Sequence, residues 1–120
     1  MNKASLTEKF AMINEHWRPK VVAQLNGQEL KLVKFLGVFP WHHHEHEDEM
    51  FLVVRGSFTM RLRDGDVSLS EGEFLIVPRG VEHMPEAAEE VHVLLFEPRT
   101  TLNTGNATDD PRTRHELKRL

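Results

Sequence analysis

The sequence predicts an all-β fold, either an antiparallel sandwich or a small barrel, preceded by a short helix. Short segments in which apolar and polar residues alternate recur along the chain, as they do in half-buried strands. Turn-forming residues separate these segments every 8–12 residues, and no helical pattern follows residue 15. This spacing is typical of a sandwich or a small barrel. A chain of 120 residues has room for one such domain.

The predicted helix lies at the start of the chain and ends before Pro19. Ser5 and Glu8 have the spacing of a capping box, and Leu6 and Phe10 follow at a helical interval. After the proline the period of the apolar residues changes from the helical one to two. A helical segment is therefore predicted over 1–18.

Eight segments are predicted as strands. They are 21–25, 29–35, 38–44, 50–54, 58–63, 67–69, 74–77 and 91–96. Asn26-Gly27 separates the first two and is a strong signal for a tight hairpin. The large aromatic residues of these segments are expected in the core. They are Phe39, Trp41, Phe51, Phe58, Phe74 and Phe96.

Composition changes after Pro98, so the predicted barrel covers 19–98 and a C-terminal tail covers 99–120. Residues 103–111 are turn-forming and contain almost no apolar side chain. Residues 113–120 carry enough Glu, Lys, Arg and Leu for a short, exposed terminal helix.

Composition also excludes several kinds of site and partner. The chain has no cysteine and no tyrosine, which excludes disulfides, thiolate metal sites, thiol nucleophiles and phenolic catalysts. With Lys+Arg 15 and Asp+Glu 19, the net charge of −4 argues against a nucleic-acid partner. No apolar run approaches the roughly 20 residues of a membrane span or the length of a signal peptide. We therefore expect a cytoplasmic protein with neither a membrane nor a nucleic-acid partner.

Four of the eight histidines lie within five residues, in the stretch WHHHEHEDE. On an extended strand, His42 and His44 share one face, whereas His43 points to the other and is expected at the surface. Two imidazoles on one face can converge on one ion, and a carboxylate from an adjoining strand can complete the site. Without thiolates, such ligands suit a borderline divalent transition ion. Spacing by itself does not choose between Glu47 and Glu49 as the carboxylate.

Two motifs together resemble the cupin superfamily. The first has Gly37, four residues, the three consecutive histidines, and then Glu49 and Gly56. The second is GEFLIVPRGVEH, which ends at His83. The resemblance spans 37–87 and implies a double-stranded β-helix, or jelly-roll, barrel. It also implies that His42, His44, Glu49 and His83 ligate one divalent transition metal ion, for which iron, manganese, nickel and zinc are the candidates.

The sequence departs from the family pattern at two places. The spacing from Gly37 to His42 is one residue short, and Ala87 stands where the second motif usually has an asparagine. The segments WHHHEHEDE, PRGVEHMP and EPRTTLNTG are nevertheless similar to those of single-domain cupins labelled mannose-6-phosphate isomerase-like. The family resemblance also implies a homodimer, for which we nominate the hairpin 20–35.

The resemblance therefore implies a metal-dependent, isomerase-like enzyme that acts on a small polar molecule such as a sugar derivative. An iron-dependent dioxygenase and a non-catalytic module that binds a small ligand are the alternatives. An enzyme needs a group that transfers protons near the metal. The candidates are Glu47, His46, and His92 if its side chain points into the barrel.

Overall fold

The computed structural model describes all 120 residues and contains one helix and seven strands. The elements are α1 (Leu6–Ala11), β1 (Lys20–Leu25), β2 (Gln28–Val38), β3 (Glu49–Arg55), β4 (Ser57–Leu62), β5 (Gly65–Ser70), β6 (Phe74–Val77) and β7 (His83–Pro98). The predicted all-β fold with a short N-terminal helix is confirmed. α1 is too short and too polar to cross a membrane, and it is the one helix of the chain.

The long strand β7 pairs with β2, β3 and β4 and so joins them in one sheet. The strand order is β1-β2-β7-β3-β6, and β4 pairs with both β5 and β7. All of these pairings are antiparallel. β7 pairs with β4 through residues 83–86 and with β3 through residues 92–96. One strand therefore carries His83 at one end and core residues of the barrel at the other.

The predicted helix cap and the predicted hairpin turn both form in the N-terminal third of the chain. The Ser5 hydroxyl accepts a hydrogen bond from the Glu8 backbone N–H at 3.2 Å and so caps α1. Asn26 and Gly27, with φ of 52° and 79°, form the two-residue loop of the β1–β2 hairpin. Positive φ at both positions is the geometry of a type I′ turn, which matches the twist of the strands.

The interior of the barrel follows the alternation of β7. Val91, Val93 and Leu95 point inward, where they join the buried Phe39, Phe51 and Phe58. Leu94 points outward and packs with Phe10 of α1. The helix therefore covers the outer face of the sheet and leaves the interior to the strands.

The prediction that Phe74 lies in the core is wrong. This residue pairs with Leu52, whose neighbours Phe51 and Val53 are the inward residues of β3, so Phe74 lies on the outer face. Its side chain is 61% exposed, because β6 ends the path of paired strands and nothing packs over it there. Trp41 and Phe96, also expected in the core, are half-buried.

The predicted strand at 38–44 is also wrong. β2 ends at Val38, and the segment that follows forms one isolated bridge, between His42 and His83. The chain contains Pro40, which has no N–H to donate to a sheet.

The predicted terminal helix over 113–120 does not form. The end of the chain lies extended beside β1, where Val21 donates to the Lys118 carbonyl at 2.8 Å and accepts from Leu120 at 2.9 Å. The free edge of β1 offers unpaired backbone groups, which favour an added extended segment over an exposed helix.

Candidate metal centre

Two backbone hydrogen bonds bring His42 beside His83. The His42 N–H donates to the His83 carbonyl at 3.1 Å, and the His83 N–H donates back at 2.9 Å. Their imidazole rings lie with centroids 4.2 Å apart. The bridge joins residues that are far apart in sequence, so the site depends on the closed fold.

Four side chains converge inside the barrel, namely His42, His44, Glu49 and His83. The distances from Glu49 Oε1 are 3.3 Å to His44 Nε2 and 3.5 Å to His83 Nε2. One potential ligand atom from each of the four residues lies within 4.8 Å of all the others. The four residues are at most 4% exposed, so these polar atoms are shielded from solvent.

The arrangement fits a bound cation. His42 Nδ1 donates to the Pro40 carbonyl at 2.8 Å, and His83 Nδ1 donates to the Val81 carbonyl at 2.9 Å. These bonds place the proton of each ring on Nδ1 and leave Nε2 as a lone-pair donor. His44 Nε2, His83 Nε2 and Glu49 Oε1 are buried and have no hydrogen-bond partner. Buried polar atoms without partners are costly, and coordination of a metal ion would satisfy all three.

The electrostatics of the group favour neutral imidazole and ionised carboxylate. Burial, together with the neighbouring His83, lowers the pKa of His42 to about 3, so its ring is neutral at neutral pH. Burial by itself would raise the pKa of Glu49. The contacts of Glu49 with Glu97 and with the rings of His44 and His83 outweigh that effect and hold the Glu49 pKa well below its ordinary value. Neutral imidazoles and a carboxylate are the protonation states that bind metal.

We expect the metal-free protein to lose stability as the pH falls from about 6.5 towards 3. The pKa of His42 is about 3 in the folded state against an ordinary value of 6.5. Between these values the unfolded chain binds more protons, so stability rises with pH across this window. The contribution of His42 is complete above pH 6.5 and amounts to about 2 kcal/mol between pH 5 and 7.

Urea unfolding of chelator-treated, desalted protein at pH 5 and pH 7 measures this difference. The His42→Gln variant should show a smaller difference because it cannot bind that proton. An equal difference in both proteins would assign the pH dependence to other groups.

Sequence reasoning missed a buried ion pair beside Glu49. Glu97, which is 2% exposed, contacts the Glu49 carboxyl and accepts from Lys31 Nζ at 3.0 Å. Burial and the neighbouring Glu49 carboxylate raise the pKa of Glu97 well above its ordinary value. The parity of the strands could have revealed both residues, because Glu97 alternates in step with Leu95, and Lys31 alternates in step with Val33.

A small cavity adjoins the four convergent side chains. His42 and Glu49 form part of its wall, and the rest is mainly apolar and aromatic, including Trp17, Phe39 and Phe51. Its free volume of about 30 Å³ holds about two waters. A molecule the size of a sugar therefore reaches this position only if part of the wall moves.

The C-terminal tail contributes one residue to the lining of the cavity and packs against the histidine segment. We call residues 103–106 the strap. Asn103 lines the cavity, and Thr104 is fully buried. The Asn106 side chain accepts from the His43 N–H at 2.8 Å, and the Asn106 N–H donates to the His43 carbonyl at 3.1 Å. The strap thus holds the histidine segment from the side opposite β7.

The three candidates for proton transfer lie away from the cavity. His46 is exposed, and the Glu47 carboxylate accepts from the Thr100 hydroxyl at 2.9 Å. His92 points to the outer face, where its ring stacks on Phe10 at 4.5 Å. None of the three lines the cavity. His92 was a candidate only if its side chain pointed into the barrel, and it does not.

His43 and Ala87, two further positions considered in the sequence, lie outside the group of four convergent side chains. The His43 ring faces away from the four convergent side chains, and its Nε2 lies 2.6 Å from the exposed Glu45 carboxylate. Ala87, at the usual asparagine position of the second motif, is buried in the apolar core. An amide there would need a polar partner, and the core around it is apolar.

Part of the chain matches a family model and a protein of another organism. The family model described as "Cupin domain" matches residues 31–97. The protein YdbB of Bacillus subtilis (strain 168) is 30% identical over 63 residues, which cover 52% of this chain and 56% of YdbB. The match thus spans little more than half the length of that relative.

Two solved structures resemble about four-fifths of the chain. A cupin-2 domain containing protein from Shewanella frigidimarina NCIMB 400 is 42% identical, with a TM-score of 0.79 and coverage of 80% of this chain and 94% of that one. Protein NMB1881 from Neisseria meningitidis is 31% identical, with a TM-score of 0.75 and coverage of 81% and 99%. The predicted jelly-roll architecture is confirmed by these similarities.

Proposed function

The chain belongs to the cupin domain family, and from that premise we propose that it is a metal-dependent enzyme acting on a small molecule. His42, His44, Glu49 and His83 would hold one divalent transition ion. The observation that carries the proposal is the set of three buried ligand atoms, on His44, Glu49 and His83, that point at one another without hydrogen-bond partners. When bound, such an ion supplies Lewis-acid polarisation of a substrate oxygen.

The residues around the ligands position them. The Pro40 and Val81 carbonyls orient the rings of His42 and His83. Glu97, held by Lys31, contacts the Glu49 carboxyl from the other side. Contacts of this kind typically change metal affinity by 10–100-fold when they are removed. We therefore assign Glu97 and Lys31 as positioning residues.

The first candidate reaction is isomerase-like conversion of a small polar molecule such as a sugar derivative. It agrees with a Lewis-acid site whose ligands are imidazole and carboxylate. In this conformation the cavity holds about two waters, so the substrate would enter after the strap moves. The aromatic wall would then pack against the apolar side of the bound molecule.

The second candidate is an iron-dependent dioxygenase, and the lining of the cavity favours it. The Trp17 ring stacks on Phe35 with centroids 4.5 Å apart and lies tilted against Phe39 at 4.8 Å, and the three rings line the cavity as an apolar wall. Such a wall suits an aromatic or other apolar substrate better than a fully hydroxylated one.

Metal removal and reloading test the proposal. Protein made without a tag is stripped with a chelator, desalted, and reloaded separately with iron(II), manganese, nickel or zinc. We expect turnover of a sugar or sugar phosphate with at least one ion, and none in the stripped protein. Oxygen uptake with an aromatic substrate in the iron form alone would favour the second candidate. Tight binding of ligands across the panel without any turnover would contradict an enzyme and identify a binding module.

We further propose that the chain acts in the cytoplasm as a homodimer, with the hairpin 20–35 at the interface. Leu25, at the end of β1 in this hairpin, is 54% exposed. Burial of such an apolar side chain in an interface would be favourable. Sedimentation velocity measures the oligomeric state.

A further inference from the structure

A cleft of about 440 Å³ lies between the C-terminal tail and the β1–β2 hairpin. It is separate from the cavity beside the histidines, and the two share no lining residue. Four cationic side chains and one carboxylate line it, from Lys31, Arg99, Arg114, Arg119 and Glu29. Because the whole chain has a net charge of −4, the positive charge of this cleft is a local feature.

Only part of this positive charge is balanced. Lys31 Nζ lies 3.0 Å from Glu97 and 3.9 Å from Glu29, and Arg119 lies 3.7 Å from Glu29. These contacts use the two carboxylates near the cleft. Arg99 has no carboxylate partner, and Arg114 bonds through its guanidinium to the backbone carbonyls of the tail. Two guanidinium groups thus remain without a balancing anion.

We propose that this cleft binds the anionic group of a small molecule, either a phosphate or a carboxylate. A guanidinium presents several N–H donors in one plane, which matches the oxygens of both groups. Arg99 directly follows β7 and Arg114 lies further along the tail, so an anion between them would hold the tail against the barrel. The buried Lys31, which is 1% exposed, lies at the floor of the cleft, where Glu97 and Glu29 balance its charge.

The cleft is separated from the metal ligands by the Lys31–Glu97 pair. Glu97 contacts Glu49 on one side and Lys31 on the other. An anion in the cleft would therefore lie beyond this pair and would not contact the histidines. The anion proposal rests on Arg99 and Arg114, which do not contact the metal ligands, so the failure of either proposal leaves the other standing.

Titration of ¹⁵N-labelled, zinc-loaded protein with inorganic phosphate tests the proposal, at ionic strength held constant with sodium chloride. A parallel titration uses malonate. We expect saturable shifts of backbone amides in 99–102 and 114–119, with a Kd in the millimolar range or tighter. Saturation by phosphate supports a phosphate ligand, and saturation by malonate alone supports a carboxylate ligand. Shifts that stay linear with both anions would overturn the proposal.

Arg99→Gln is the main variant, since the Arg99 side chain makes no contact that the fold needs. We expect it to weaken binding about five- to tenfold, the loss of one charge-assisted contact. Arg114→Gln provides a second variant with the same expected direction. Arg18→Gln is the matched control, because Arg18 pairs with Glu15 and does not line the cleft. Equal Kd values in wild type, Arg99→Gln and Arg114→Gln would contradict the site.

Discussion

Replacing His83 with alanine is expected to remove most of the bound metal while the barrel stays folded. The ring is fully buried, and its Nε2 is one of the unpaired atoms that face Glu49. Loss of this ligand leaves two imidazoles and one carboxylate. We expect metal affinity to fall by at least about 100-fold, beyond what loss of an outer contact costs. Elemental analysis after dialysis against metal-free buffer measures the content, with about one ion per chain expected in the wild type.

His43→Ala is the matched control for this experiment. His43 belongs to the same histidine run, but its ring faces away from the site and pairs with Glu45. We expect this variant to keep its full metal content. Metal at the wild-type level in His83→Ala would refute the ligand assignment, and equal loss in both variants would indicate a general loss of structure. Far-ultraviolet circular dichroism of each variant shows whether the β-fold is kept.

Gly105→Ala is expected to destabilise the protein strongly and to weaken metal binding. Gly105 has φ of +52°, and a Cβ there would overlap the His43 carbonyl oxygen and lie 3.1 Å from His42 Cδ2. The first contact is with backbone, so the strap must move away. Backbone strain of about 1–2 kcal/mol adds to an overpacking cost of about 1–3 kcal/mol. We expect a total loss of about 3 kcal/mol in urea unfolding.

Gly72→Ala separates the two costs. Gly72 also has positive φ, at +81°, but a Cβ there would meet nothing within 4 Å. It should therefore lose only the backbone share, about 1 kcal/mol. If Gly105→Ala lost no more than Gly72→Ala, the strap would not be packed against the histidine segment as described. Faster release of metal to a chelator from Gly105→Ala alone would show that the strap supports the site.

Several features of the fold could be predicted because their causes are local. The cap at Ser5 and the type I′ turn at Asn26-Gly27 depend on residues a few positions apart. The alternation of β7 separates Val91, Val93 and Leu95 from Leu94 wherever the strand lies in the sheet. The proposed metal ligands rest on the family resemblance instead, because spacing by itself leaves Glu47 and Glu49 equivalent.

The predictions that were wrong concern features that depend on neighbours distant in sequence. Phe74 is exposed because β6 ends the path of paired strands, and a single strand does not reveal its place in a sheet. Residues 118–120 lie beside β1 because that edge has free backbone groups. The structure also brings Glu97 to Glu49 and the strap to His43.

The sequence by itself determined the class of fold, the turns and the inward faces of the strands, because these follow from short-range backbone and hydrophobic preferences. Tertiary structure alone decided the rest. It turned His92 outward, buried Lys31 and Glu97 beside the candidate ligands, and packed the strap against the histidine segment. Each of these depends on which strands pair and where the tail packs, and pairing is set by burial over the whole chain rather than by any one segment.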